Sequence, residues 1–449
     1  MLPLLPVFGT RTLLRTIAAA VTRRVPRVPF FRKAPSPRTI ISTSLAAHRR
    51  VSPKKFPQDG FERIEDSVKV EEETLPFYEE GLFYPARIGE VIRDQYQVIA
   101  KLGYGASSTT WLTLDLLTAR YVVLKVHVTH VPHLRELEVL QYLKSIQSEH
   151  YGREKIRLIE DHFTIQGSCG SHIVFVLPPL GVSVKLLQEL QPGGVYKEGV
   201  AVSAIQQTIL ALDFLHHEAS VIHTDVHAGN LLLDITDESQ LVQFEENERM
   251  RPTDRKVIGD RVIHVSQMLM TAGGPPHLCD FGHARICPDS ELQTGLIMPT
   301  QYRAPEVLLD MQWDFAVDLW SIGILAWDLL EPKSLFQIYD YNHPEINEAF
   351  HLAHMVRILG PPPLDFLWRS PKSQKYWDDA GNWKGVVPLP PPATLESLVT
   401  SLQGKRKDEF LDFIRGVLQW EPEKRLSTGH AWNHPWISGL EQASEATEQ

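Results

Sequence analysis

Three cysteines, Cys169, Cys279 and Cys287, are all that the 449 residues contain. None stands in a Cys-x-x-Cys pair and the count is odd, which argues against a disulfide or zinc framework and for a reducing compartment. No run of about 18 apolar residues occurs, so no membrane span is expected. Phe315–Leu330 is apolar but short, and Asp318 and Asp328 interrupt it. Internal repeats are absent. Residues 1–58 lack acid altogether, with nine Arg and three Lys but no Asp or Glu. The remainder then carries 33 basic against 55 acidic side chains, a net of −22. Such a body disfavours nucleic acid, so no direct nucleic-acid partner is expected, and it attracts a cationic one. The chain is long enough for two or three average domains or one two-lobed enzyme.

The acid-free head can be read in two ways. Leu13, Leu14, Ile17 and Val21 would line one helical face among Arg11, Arg15, Arg23 and Arg24, the composition of a mitochondrial presequence. A disordered basic leader broken by prolines explains the same residues equally well. On either reading, residues 1–58 are not counted as fold. Residues 59–95 read as an extended strap, and residues 438–449 as a frayed tail.

The informative stretch is Val-Ile-His-Thr-Asp-Val-His-Ala-Gly-Asn, Val221–Asn230, which follows a helical pattern. It sets the carboxylate of Asp225 five positions ahead of the amide of Asn230. Downstream, Cys279-Asp280-Phe281-Gly282 adds a second acid in a glycine turn. A base that orients a hydroxyl, with an amide and an acid sharing Mg²⁺, is the apparatus of phosphoryl transfer. Alone, Asp-x4-Asn is more often a loop turn than a site, so its company decides.

Upstream, Leu102-Gly103-Tyr104-Gly105-Ala106-Ser107-Ser108-Thr109-Thr110 reads as strand, glycine turn, strand. Gly103 and Gly105 would let the backbone pass close to phosphates. Tyr121–Val128 alternates at strand period and places Lys125 among apolar neighbours, where it needs a counter-charge. Glu136 or Glu138, in the helical pattern Leu134–Leu140, can supply it, and the apolar spacing does not settle which. His127, His130 and His133 recur every third residue, but Pro132 breaks the run and no metal is expected there. Ile173–Leu177 is a buried strand, and Pro178-Pro179-Leu180-Gly181 after it is a stiff connector suited to a hinge. Asp318–Leu330 is apolar nearly all round, the mark of a helix through a core. Residues 234–278 form a charged insert with a weak strand signal at Val262–Val265, either a hairpin excursion or a partner-binding loop. Cys279 reads as a satisfied buried thiol rather than a reactive one.

Taken in order, these motifs resemble a eukaryotic protein kinase from Tyr96 to Trp436. Gln301-Tyr-Arg-Ala-Pro-Glu306, Asp318-x-Trp-Ser-x-Gly323 and the late Arg425 complete the series. Within that superfamily the chain resembles the SR-protein kinase family and its fungal-type relatives, in the CMGC group. His-Thr-Asp in place of His-Arg-Asp, Tyr-Pro-x-Arg-Ile-Gly-Glu before the first strand, and Lys-Leu-Gly-x-Gly-x-x-Ser-Thr-x-Trp-Leu carry that likeness. The resemblance implies an α+β, bilobal kinase domain over residues 96–437. A small β-rich lobe with one helix (96–180) would sit on a larger, mainly helical lobe (181–437), with ATP and Mg²⁺ between them.

Residue by residue, it implies Lys125 on the α/β-phosphates paired with Glu136, Asp225 as base, and Asn230 and Asp280 on Mg²⁺. Leu102 to Thr110 would cover the nucleotide, with Leu177 as gatekeeper. The carbonyl of Pro178 and the N–H of Leu180 would hold adenine, since proline deletes only the N–H groups of 178 and 179. His223, Asp318 and a buried Glu306–Arg425 pair would be structural. The implied substrate is a Ser or Thr of a protein; the acidic body suits an Arg/Ser-rich one, and a monomer is expected. The family points to cytoplasm and nucleus, the leader to the mitochondrion.

The departures from the family pattern carry their own expectations. Thr224 replaces the arginine that gathers a phosphorylated activation loop, so activity should not need loop phosphorylation at Ser290, Thr294 or Thr300. His227 stands where the family has a Lys reaching the γ-phosphate. A free imidazole is only about a quarter charged at pH 7, and losing one such contact costs on the order of 10²–10³ in rate. Pro299 replaces a Thr of the same contact. The expectation is a slow enzyme whose rate falls from pH 6 to 8. Two other readings stay open. A pseudokinase is favoured by His227 and Pro299 and opposed by Lys125, Asp225, Asn230 and Asp280. A small-molecule phosphotransferase is suggested by Asp-x-His-x-Gly-Asn and opposed by the large-lobe motifs.

Overall fold

The computed structural model describes residues 50–439 except 80, 130–134, 271–272, 289–290 and 337–342. Residues 1–49, 440–449, His130, His133 and Ser290 lie outside the described residues, and residues 438–439, expected in the frayed tail, continue a helical turn. Strand β1 (Arg63–Ile64) precedes the small lobe. That lobe contains β2 (Val91–Ile92), β3 (Tyr96–Tyr104), β4 (Ser108–Asp115), β5 (Arg120–His127), β6 (Asp161–Gln166) and β7 (Ser171–Leu177). They form one antiparallel sheet in the order β2-β3-β4-β5-β7-β6.

Alternation along β5 divides its side chains between two cores. Val122, Leu124 and Val126 join a small outer cluster with Ala86, Trp111 and Val174. Val123 faces the main core, where Val139 and Leu140 of helix α1 (Arg135–Ser145) pack. Lys125 shares the parity of Val123, so the strand period itself turns it toward that helix.

Two backbone contacts tie the hinge to the large lobe: Gly181 N–H to the Leu233 carbonyl (2.8 Å) and Leu233 N–H to that of Val182 (3.1 Å). Helices α2 (Val184–Glu189) and α3 (Glu198–Asp213) follow, α3 buried over nearly all its faces and running into a π-helical turn at Phe214–Glu218. β8 (Val221–Ile222) and β9 (Leu231–Leu233) then bracket the Asp225 loop.

The insert is more than a hairpin. It holds helix α4 (Ser239–Met250) and the hairpin of β10 (Arg255–Ile258) with β11 (Arg261–His264). It folds back onto the small lobe, where β10 takes β1 as a parallel neighbour. β12 (Pro276–Leu278) returns to pair with β9, and β13 (Arg285–Ile286) pairs with β8. Helix α5 (Ala316–Leu330) crosses the large-lobe core, with 13 of its residues buried, as its all-round apolarity requires.

Two expectations need correction. Residues 50–58 belong to the fold: Val51 N–H bonds the Leu116 carbonyl, Phe56 is buried, and Lys54 pairs with Glu245 of α4 at 2.7 Å. The strap is also more than a connector. Its 3₁₀ turn at Glu71–Thr74 places Glu71 and Glu72 against the ammonium of Lys101, which is 1% exposed. A lysine so buried is tolerable only because both acids meet it.

Candidate active site

A cavity of about 700 Å³ lies between the lobes, roofed by Leu102–Ser108, with Lys125 at its back and Asn230 and Asp280 on its floor. The Lys125 ammonium meets both Glu136 carboxylate oxygens at 2.7 Å. Glu138, the other candidate, is exposed. Burial alone would lower the Lys125 pKa, but the charges of Glu136 and Asp280 raise it above the ordinary value. Burial pushes Glu136 up, and Lys125 with His127 overrides it, holding the carboxyl at about 2. His127 was missed as a site residue; its Nε2 lies 3.4 Å from Glu136 and backs the pair from behind. Among the described residues no metal cluster includes it.

Asp318 builds the catalytic loop from beneath. Its carboxylate is fully buried and accepts the N–H groups of His223 (2.9 Å) and Thr224 (2.8 Å), with His216 Nε2 also at 2.9 Å. That fixes Thr224 in a left-handed conformation (φ 68°), a cost the paired hydrogen bonds offset. Thr224 Oγ1 donates to the His283 carbonyl, tying this loop to the Asp280 turn without arginine or phosphate. His223 Nδ1 accepts from Asp225 N–H (3.2 Å) and its Nε2 reaches the Cys279 carbonyl (3.1 Å). Burial keeps this imidazole below its usual pKa despite three nearby carboxylates, which suits its one-acceptor, one-donor role.

At the floor, the Asn230 amide donates to the Asp225 carboxylate (2.9 Å) and carbonyl (2.9 Å). Its Oδ1 has no protein partner among the described residues. Burial raises the Asp225 pKa, but the neighbouring His227 and His223 and the hydrogen bond from Asn230 hold it below the usual carboxylate range. Asp280 is left-handed (φ 64°) and exposed to the cleft, with Oδ1 accepting from Gly282 N–H. An amide oxygen and a cleft-facing carboxylate are hard donors, and two protein ligands leave room for water and phosphate oxygens. That set fits Mg²⁺.

His227 makes two contacts that the sequence did not suggest. Its Nδ1 accepts from Gly229 N–H (3.1 Å), so that nitrogen carries no proton, while Nε2 lies 3.5 Å from Asp225 Oδ1. The ring caps its own turn and lies beside the Asp225 carboxylate. The hinge needs a correction. The Pro178 carbonyl already takes Nε (3.0 Å) and Nη2 (2.6 Å) of Arg157, so an adenine amino group reaches it only if the guanidinium yields. Arg157 also lines the cavity and was overlooked, although a charge inside Ile156-Arg-Leu-Ile159 is the signal that flagged Lys125. Leu180 keeps its place on the cavity wall, and its N–H has no acceptor among the described residues. Cys279 is buried, its thiol pushed up to about 11 by burial, and its Sγ donates to the His277 carbonyl at 3.4 Å.

Glu306 and Arg425 meet bidentately at 2.7 and 2.6 Å, both about fully buried, and lock the Ala-Pro-Glu turn to the base of the large lobe. A two-lobed cleft with an ion-paired lysine, a base steadied by an amide and an acid facing both defines a phosphotransferase of the protein kinase class. The family model "Protein kinase domain" matches residues 96–437, and the chain belongs to that family.

Its relatives are serine/threonine kinases. One from Aspergillus fumigatus is 38% identical over 414 residues, 91% of this chain and 97% of that protein. Serine/threonine-protein kinase SRPK of Physarum polycephalum is 28% identical over 84% of this chain and 93% of its own. Protein kinase dsk1 of Schizosaccharomyces pombe is 25% identical over 84% and 87%. The crystal structure of a kinase domain superposes with a TM-score of 0.62 at 22% identity, covering 80% of this chain and all of that one, a likeness of fold. The protein is a serine/threonine protein kinase with SRPK-type relatives.

Proposed function

We propose that this kinase transfers the γ-phosphoryl group of Mg-ATP to serine in Arg/Ser-rich protein segments, without prior phosphorylation of its activation loop. The observation that carries the chemistry is the meeting of Lys125, Glu136, Asn230 and Asp280 around one cavity, with Asp225 hydrogen-bonded to Asn230. Asp225, held ionised, accepts the hydroxyl proton of the substrate as the oxygen attacks. Asn230 and His227 fix the direction of its carboxylate. Lys125, oriented by Glu136, supplies positive charge to the nucleotide phosphates. Mg²⁺, when bound by Asn230 and Asp280, neutralises charge on the phosphoryl oxygens.

The substrate class rests on two supports: the excess of 55 acidic over 33 basic side chains beyond residue 58, and the SRPK-type relatives. Phosphate independence rests on the activation segment's own contacts. Cys287 N–H bonds the Ser220 carbonyl at 2.7 Å, Trp313 Nε1 donates to that of Gly295, and Arg303 Nε donates to those of Ile297 and Met298. The test is Mg-ATP turnover with an Arg-Ser peptide, a basic protein lacking such repeats, and no substrate, each beside Asp225→Asn. Phosphorylation of the peptide alone, lost in Asp225→Asn, supports the reading. Equal labelling of both substrates removes the Arg/Ser assignment, and no labelling removes the catalytic one. We place the enzyme in cytoplasm and nucleus, with a mitochondrial address as the alternative that sequencing the mature N-terminus separates.

A further inference from the structure

The insert does more than decorate the small lobe, because its return path to β12 runs past the nucleotide cavity. Gln267, Met268 and Leu269 line that cavity together with Leu102, Leu180 and Val182. Both ends of this arm are pinned. On the small-lobe side, Ser266 donates its N–H (2.9 Å) and hydroxyl (2.5 Å) to Glu71, and Gln267 N–H donates to the Lys101 carbonyl at 2.8 Å. The Gln267 amide also reaches Glu248, a buried acid of α4. On the large-lobe side, Gly274 N–H bonds the Asp234 carbonyl at 3.1 Å. Lys101 immediately precedes the roof residue Leu102, and Asp234 immediately follows β9, whose Leu233 carries the hinge contact of Gly181. Gln267–Leu269 therefore starts at the roof and lies on the hinge side of the cavity, beside Leu180 and Val182.

Two of its three lining side chains, Met268 and Leu269, are apolar. Leu269 is 4% exposed and packs into the main core, whereas Met268 is 58% exposed and stands at the opening. A flexible thioether at the mouth of a ligand cavity adapts to an apolar face and gains from covering it. Nothing about a mere connector calls for three hydrogen bonds at its small-lobe end and a half-covered methionine beside a cleft.

We infer that Gln267–Leu269 is a third wall of the nucleotide cleft, pinned across its hinge-side mouth, with Met268 and Leu269 packing on the bound nucleotide. This rests on the Mg-ATP reading. The wall makes the insert part of the nucleotide site and sets how tightly the nucleotide is held and how fast it leaves.

The test measures Mg-ADP binding to the full chain by calorimetry and its release by stopped flow, with thermal melting alongside. Met268→Gly should weaken binding several-fold, and Met268→Gly with Leu269→Ser about tenfold (1.4 kcal/mol), with faster release and a higher KM for ATP. Met250→Gly, at a 73%-exposed position on α4 of the same insert, should bind as the parent does. Met268 is exposed enough that its single variant should keep the parental melting temperature, so a folding loss at Leu269 does not mask the answer. If Met268→Gly melts normally and binds Mg-ADP as tightly as the parent, the arm is only a connector and the inference fails. If the parent itself binds no Mg-ADP, the Mg-ATP reading fails first and the wall falls with it.

Discussion

Replacing His227 by alanine, asparagine and glutamine separates the two jobs its ring performs. Asparagine places its oxygen near the position of Nδ1, which accepts from Gly229 N–H; glutamine extends its amide toward the position of Nε2, near Asp225. At 3.5 Å the Nε2–Asp225 contact is longer than a formed hydrogen bond, so it is worth only about 0.5–1.5 kcal/mol, and each 1.36 kcal/mol is tenfold in rate. Alanine should therefore lower kcat by roughly 2- to 13-fold. Glutamine should recover most of that rate. Asparagine should recover stability instead, a capping bond of about 0.5–2 kcal/mol, with little rate. The assay is steady-state phosphorylation of one peptide at saturating Mg-ATP from pH 6 to 8.5, beside thermal melts. A tenfold fall over that range, abolished by His227→Ala, would show that the imidazolium contacts phosphate and refute the positioning role. Glutamine as slow as alanine would refute it as well.

Further outcomes follow from the same geometry. Gly229→Ala would set a methyl group 2.8 Å from His227 Cε1, so the ring must move, and kcat should fall as in His227→Ala without loss of nucleotide binding. Glu136 is held at about 2 against an ordinary 4.5, so its contacts with Lys125 and His127 together contribute on the order of 3 kcal/mol above pH 4.5. That contribution drains as pH falls toward 2, and acid denaturation followed by circular dichroism should show the Glu136→Gln variant with a shallower dependence there. Arg425→Met strands the buried Glu306 carboxylate and should destabilise by about 3–5 kcal/mol in denaturant melts, with Glu306→Gln/Arg425→Met recovering part of it. Phosphatase treatment should leave peptide phosphorylation unchanged, as should Thr294→Ala; loss of activity in both would restore a phosphate requirement.

Local rules suffice for whatever depends on chain order and period. Alternation in Tyr121–His127 put Lys125 on the helix-facing side of its strand, and the all-round apolarity of Ala316–Leu330 buried that helix. The phosphoryl-transfer residues were legible because Asp225 and Asn230 share one loop, and because few other chemistries need that pair with Asp280. What tertiary structure alone decided involves direction and distance. Glu136 prevails over Glu138 because the docking angle of α1 turns one carboxylate inward. His227 was set beside Asp225 by one hydrogen bond, from Gly229 N–H, and a 3.5 Å approach of Nε2 that sequence spacing cannot orient. The strap and insert pair Arg63 with Arg255 across the chain, a contact no local periodicity encodes, and so residues 50–58 and the arm at Gln267–Leu269 joined a lobe and a cleft from which the sequence had left them out.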